Sequence, residues 1–164
     1  MTVVSNTSPV SNLAMIGRLS LLRSQFDHVL IPKAVDQELA HLADASASEA
    51  IRAAEADGWL ELVEVVRSPL VRVFEENLDP GEASALACAL ERGADLVLMD
   101  ESDGREIASA AGLRVRGVLG ILRQAKQTGE VLSLRDELQK LRVQAHFFIS
   151  PQLMRRFLEA SGEF

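Results

Sequence analysis

Short apolar runs recur along the chain, and most are followed by a stretch whose apolar positions fall three and four residues apart. The first, Val3-Val4, ends at Asn6-Thr7-Ser8-Pro9. Ser8 before Pro9 reads as a helix start, a hydroxyl cap followed by proline at the first helical position. Leu13, Ile16, Leu19 and Leu22 continue it at helical spacing. Val29-Leu30-Ile31 is a second buried strand, and Pro32 opens a helix with Val35, Leu39 and Leu42 on one face. An alanine-rich helix is predicted over 45–56, then a strand over 60–66 interrupted by Glu61 and Glu64. Asp79-Pro80-Gly81-Glu82 begins the clearest helix, which runs to Gly93. Leu96-Val97-Leu98-Met99 is a strand ending at Asp100. A helix over 102–111, a short strand over 114–116 and helices over 119–128, 133–143 and 151–160 follow, the last two capped by Ser133 and Ser150.

Five apolar strands interleaved with helices predict an α/β protein: a three-layer α/β/α sandwich around a parallel five-stranded sheet. The chain shows no repeat and no linker, and its 164 residues read as a single domain over 1–164. No apolar run is long enough to span a bilayer, and Met1-Thr2-Val3-Val4 lacks the basic start of a signal peptide. The expectation is a cytoplasmic protein.

Composition narrows the chemistry. One cysteine, Cys88, excludes an internal disulfide and a multi-cysteine zinc site, and its Ala/Leu surroundings read as core. No two of His28, His41 and His146 have helical metal-ligand spacing, so they read as surface or core residues. Tyr is absent and Trp59 is the one Trp, which argues against a large aromatic platform for single strands. The net charge of −7 argues against nucleic acid until its distribution is considered. Residues 1–104 carry 7 basic and 18 acidic side chains, whereas residues 105–164 carry 10 basic and 6 acidic ones. An acidic front that binds metal and a basic back that binds phosphate suit a nuclease; two solvated helix faces are the plainer alternative.

In open parallel sheets, ligands bind beyond the carboxyl ends of the strands. Asn6 ends the first strand, and Asp100 ends the fourth with Glu101 and Asp103 close behind. Glu38 lies on the helix after the second strand, and Glu82 in the first turn of the helix leading to the fourth. Two carboxylates about 4 Å apart repel by roughly 4 kcal/mol at an effective dielectric near 20, and a divalent cation removes that cost. Oxygen-only ligands select magnesium or manganese, ions that activate water and stabilise charge on a phosphodiester. Each acid also has a structural reading. Asp79 and Glu82 have capping-box spacing, Glu38 is an ordinary solvated helix position, and Asp103 suits a helix first turn. Asp100, directly after an apolar strand, is the hardest to explain structurally.

At these residues the chain resembles a known family. Val3-Val4-Ser5-Asn6-Thr7-Ser8-Pro9 looks like the opening of PIN-domain proteins, in the prokaryotic branch that begins with an Asn- or Asp-Thr-Ser-Pro turn. The stretch from Ile31 to Leu39 is similar to that family's second acidic motif. Gly81-Glu82-Ala83 and the stretch from Gly93 to Asp100 resemble the third and fourth, and Gly112 to Gly120 the fifth-strand region. The resemblance implies a metal-dependent endoribonuclease, often the toxin of a toxin–antitoxin pair and often a homodimer. Its substrate would be RNA, its cofactor Mg2+ or Mn2+, and its partner a cognate antitoxin. Glu38, Glu82 and Asp100 carry over as metal-binding acids, and Asp103 matches a further, less regular acid. The family's first acid is Asp, where this chain has Asn6. An amide oxygen can ligate magnesium but brings no charge and accepts no proton. A catalytically weak PIN-like module that binds RNA or a protein is therefore the competing reading. A dehalogenase-like phosphatase is disfavoured, because its second Asp would stand where Ser102 does. A dimer is also expected from apolar helix faces over 119–141 in excess of what one sheet covers.

Overall fold

In the computed structural model, which describes residues 1–65 and 69–163, five short strands form one parallel sheet. They are β1 (Val3–Ser5), β2 (Val29–Pro32), β3 (Leu60–Val63), β4 (Leu96–Leu98) and β5 (Val115–Arg116), in the spatial order β3-β2-β1-β4-β5. Alternation along each strand separates two cores, as the two-residue period of a strand requires. Val3, Val29, Ile31, Leu60, Leu96 and Leu98 face one side. Val4, Leu30, Val63, Val97 and Met99 face the other. Helices cover both faces, giving the expected three-layer α/β/α arrangement.

The first face is covered by α1 (Thr7–Met15), α2 (Ser20–Phe26), α3 (Lys33–Leu39), α4 (Ala45–Ala56), and later by α8 (Val118–Gln127), α9 (Leu134–Gln144) and α10 (Pro151–Ala160). The second is covered by α5 (Pro69–Glu75), α6 (Pro80–Glu91) and α7 (Ser102–Ala110). Ala83, Ala85, Ala87, Cys88 and Ala89 of α6 are all buried. Their small side chains let this helix run close to the sheet and to α3 and α5. Among the described residues, no helix is long and apolar enough to cross a membrane.

Several local expectations change. The helix expected from Ser8 through Leu22 is two helices, because Gly17 takes φ 72 and turns the chain between α1 and α2. The cap of α1 is Asn6 rather than Ser8, and Pro9 sits within the first turn, where its missing N–H leaves no bond unmade. The Ser8 hydroxyl is directed to Glu101 instead. Leu42 lies beyond α3, still packed on the first core. The strand expected over 60–66 ends at Val63, and Val66 lies outside the described residues. The short helix α5 has no counterpart in the periodicity. Ser133 and Ser150 do cap α9 and α10, accepting from the N–H groups of Asp136 and Leu153 at 3.2 and 3.1 Å.

The apolar faces of α8 and α9 are covered within the chain: Val118, Ile121, Leu122, Leu134, Leu138 and Leu141 are fully buried. The apolar helix faces expected to be in surplus over 119–141 are therefore covered, which removes that argument for a dimer, although Leu132 between the two helices is exposed. The layer holding α9 is fastened by a buried charge. Glu137 is 2% exposed and accepts from Arg18, which follows α1, at 2.6 Å, with Lys140 at 3.3 Å. Burial pushes the Glu137 carboxyl up, but the two cations outweigh it and hold it below its usual range. Glu163 closes the same layer by accepting from the Leu134 N–H at 2.7 Å, at the start of α9.

Arg18→Ala leaves Glu137 buried with only Lys140 for compensation. We expect a loss of about 1–3 kcal/mol, below that of a fully buried pair because Arg18 is partly solvated. Adding Glu137→Leu removes the orphaned charge and should restore much of the stability. Urea unfolding of the single and double variants measures this; equal midpoints for the two would contradict it.

Candidate active site

The strand order reverses between β1 and β4, and the crevice above such a switch point is where open α/β sheets build sites. Register brings the two chain exits together. Ser5 pairs with Leu98, and the Asn6 N–H donates to the Leu98 carbonyl at 2.9 Å. Asn6 and Asp100 therefore emerge side by side, although 94 positions separate them in the sequence. They open into a cleft of about 510 Å³ that Glu38, Asp79 and Glu101 also line.

Each acid is held by a neighbour whose role depends on the fold. The Thr7 hydroxyl donates to Glu38 and the Ser8 hydroxyl to Glu101. The Asn6 amide donates to Glu101 at 3.2 Å. The Val118 N–H donates to Asp100 Oδ1 at 2.8 Å, and the Asn12 amide approaches Oδ2 at 3.5 Å. Two glycines make room. A Cβ on Gly81 would meet Glu38 Oε1 at 2.5 Å, so with glycine there the start of α6 lies against that carboxylate as it stands, and a larger residue would push the Glu38 side chain aside. A Cβ on Gly117 would lie 2.7 Å from Asp100 Oδ1.

Glu82 lies behind this wall, only 8% exposed. It belongs to a capping box: its N–H donates to Asp79 Oδ1 at 2.8 Å, and its carboxylate accepts from the Asp79 N–H at 3.4 Å. The structural reading of Asp79 and Glu82 is thus correct, yet a cap alone does not require so buried an acid. Burial raises the Glu82 pKa to about 7, helped by the charges of Asp79, Glu101 and Glu38. Burial likewise raises Asp100 to about 6, with Glu101 adding to it and the Val118 N–H, Arg105 and Asn12 opposing. Glu38, Glu82, Asp100 and Glu101 thus share one electrostatic neighbourhood, with Asn6 among them. Asp103 is not brought in; it is exposed in the first turn of α7 and does not line the cleft.

The residues that sequence reasoning passed over are mostly the supports. Glu101 was visible only as the neighbour of Asp100, and Thr7 and Ser8 only as turn residues. Asn12 lies six positions after Asn6, a spacing that carries no pattern. His146, read as surface or core, lies on the cleft wall with Phe147 and Phe148.

With this geometry in view, the comparison with known families is decisive: the sequence matches the PIN domain over residues 2–163. The chain belongs to the PIN-domain family. No curated protein matches it. PIN-domain membership points to a nuclease-type function, and PIN domains generally use divalent metal ions. The residues present suit such an ion. Asn6 Oδ1 is buried and, among the described residues, has no hydrogen-bond partner, an unsatisfied acceptor at the wall of an acidic cleft. Apart from the His146 imidazole on the cleft wall, the candidate ligands are oxygens, the set preferred by magnesium and manganese. As they stand, no three acid, histidine or cysteine side chains among the described residues are gathered closely enough to hold a metal. Repulsion explains the spread, since Glu38 and Glu101 turn to hydroxyls rather than toward each other.

The raised Glu82 carboxyl makes the PIN-domain protein pH-sensitive when no divalent ion is bound. Its proton is kept in the folded chain and released by the unfolded chain above the usual glutamate value, about 4.3. The folded state therefore loses stability as pH rises from there through about 7. Glu82→Gln keeps the capping geometry without the charge. In chelator, its melting temperature should exceed that of the wild type by a margin that grows from pH 4.5 to pH 8. Glu55, also raised to about 7, titrates equally in both proteins. A margin that does not change with pH would contradict the assignment.

Proposed function

We propose that this PIN-domain protein is a cytoplasmic endoribonuclease that cuts RNA phosphodiester bonds with bound Mg2+ or Mn2+, as the toxin of a toxin–antitoxin pair. The observation that carries this reading is the unpartnered Asn6 Oδ1 in a cleft lined by Glu38, Asp100 and Glu101 at the switch point of the sheet. Glu38 and Asp100 would hold the ion with Asn6 Oδ1 as a neutral ligand, and Glu82 would add charge from behind. Asp103, farther out on α7, would act through water. When bound, the ion activates water and stabilises the charge that builds on the phosphate. The chain's own part is positioning. The Val118 N–H and Asn12 hold Asp100, and Thr7 and Ser8 hold Glu38 and Glu101. An antitoxin partner and a homodimer belong to the same reading and rest on the likeness to PIN toxins.

One observation favours the alternative of a weak, RNA- or protein-binding module. Asn6 stands where active relatives carry Asp, and its amide already satisfies Glu101 without a metal. Single-turnover RNA cleavage in Mn2+ separates the two. For a nuclease, Asp100→Asn should lower the rate by about two to three orders of magnitude, the equivalent of a few kcal/mol at 1.36 per tenfold. Asn6→Asp should raise it by adding a charged ligand. If neither substitution changes the rate, the cleft is not catalytic and the binding module stands.

A further inference from the structure

A second cavity, about 560 Å³, adjoins the acidic cleft and shares Asp100, Phe147 and Phe148 with it. Its character is opposite. Arg116 from β5 and Arg123 from α8 line it, and Phe157 of α10 contributes an apolar wall. Among the described residues, neither arginine forms an ion pair. Arg105, also at its edge, is already engaged, donating to the Met99 carbonyl at 3.1 Å.

Arg116 is held in place before any ligand arrives. Its guanidinium lies over the Phe26 ring, 5.8 Å from the centroid. Its stem rests on Gly120, where a Cβ would come within 2.9 Å of Arg116 Cγ. Arg123 is exposed, one turn farther along α8. Two uncompensated guanidinium groups in one cavity of a chain with net charge −7 call for an anion, and the planar fork suits phosphate. Phe148 is 85% exposed at the rim common to both cavities, where packing gives it no reason to be. His146, at φ 53, makes the turn before it.

We infer that this arginine-lined cavity binds the nucleotide next to the scissile phosphate of a single-stranded RNA. Its phosphate lies on Arg116 and Arg123, and its base against Phe147 and Phe148. The volume falls within the range of ordinary small-ligand pockets. Base–aromatic stacking tolerates any sequence, because every base has a π-face. The acidic cleft repels phosphate unless an ion is bound, so the neighbouring arginines supply the attraction that keeps the strand across it. The identity of the ligand rests on the RNA-cutting reading of that cleft.

The test is fluorescence anisotropy with a fluorescein-labelled eight-nucleotide RNA of mixed sequence, in chelator, over a series of salt concentrations. Arg116→Ala/Arg123→Ala should weaken binding at least tenfold and flatten the salt dependence by about 0.7 for each phosphate that is no longer neutralised. Phe148→Ala should weaken it about fivefold and leave the salt slope unchanged. Thermal melts accompany each variant, and Arg123→Glu replaces the double variant if that one melts lower. Binding within twofold of the wild type by all these variants would overturn the proposal. Mn2+-dependent cleavage by the same proteins separates this from the function proposed above. If Asp100→Asn alone abolishes cleavage and the cavity variants bind normally, the nuclease stands and the subsite falls. If the cavity variants lose RNA while no form of the protein cuts it, the subsite stands and the nuclease falls. A wild type that neither binds RNA in chelator nor cuts it in Mn2+ overturns both.

Discussion

Crowding of negative charge at the carboxyl ends of β1 and β4 is the constraint to which the rest of this structure responds. The parallel pairing of those strands places Asn6 and Asp100 at one point, and the following helices bring Glu38, Glu82 and Glu101 to it. Buried and half-buried carboxylates repel strongly where water is scarce. The surroundings are arranged to bear that cost. Hydroxyls, amides and a backbone N–H are directed at the acids, glycines lie close against two of them, and one position of the cluster is an amide. None of these features improves the packing of the core, and two residues retain protons well above the normal carboxylate range. Such an arrangement is the expected signature of a site rather than of a scaffold.

The amide at position 6 has a physical role beyond the loss of an acid. Its Nδ2 donates to Glu101, and among the described residues its Oδ1 has no partner. One side chain therefore relieves part of the repulsion and still offers an oxygen to a cation. The metal-free protein gains by having one charge fewer, and a bound ion loses the attraction of that charge. In the proposed reading this biases the cleft toward dependence on the ion concentration, and the basic half of the chain would supply the hold on RNA that the acids cannot.

Much of this was legible in the sequence, for identifiable reasons. Strands such as Leu96–Leu98 declare themselves because a strand buried on both faces must be apolar throughout. Asp100 stood out because it directly follows such a strand, where α/β sites form, and Glu38 because its stretch resembles the family's second acidic motif. The break at Gly17 escaped notice because Leu13, Ile16, Leu19 and Leu22 keep helical spacing across it, so the periodicity continued where the chain turned. The supports escaped for a different reason. Thr7 meets Glu38, Ser8 meets Glu101 and Gly81 accommodates Glu38 only once strands and helices have assembled, and no local pattern encodes pairings that span 31, 93 and 43 positions. Asp103, suggested by the family resemblance and by its nearness to Asp100, is carried outward by the first turn of α7, so a part for it would run through water rather than direct contact.

Direct titration of the protein with Mn2+, followed by calorimetry or by the loss of the free-ion electron paramagnetic resonance signal, tests the central claim without depending on any choice of RNA. Saturable binding to the wild type is predicted, abolished by Asp100→Asn combined with Glu38→Gln and strengthened by Asn6→Asp. Binding that is absent from the wild type, or unchanged when both carboxylates are removed, would contradict the account.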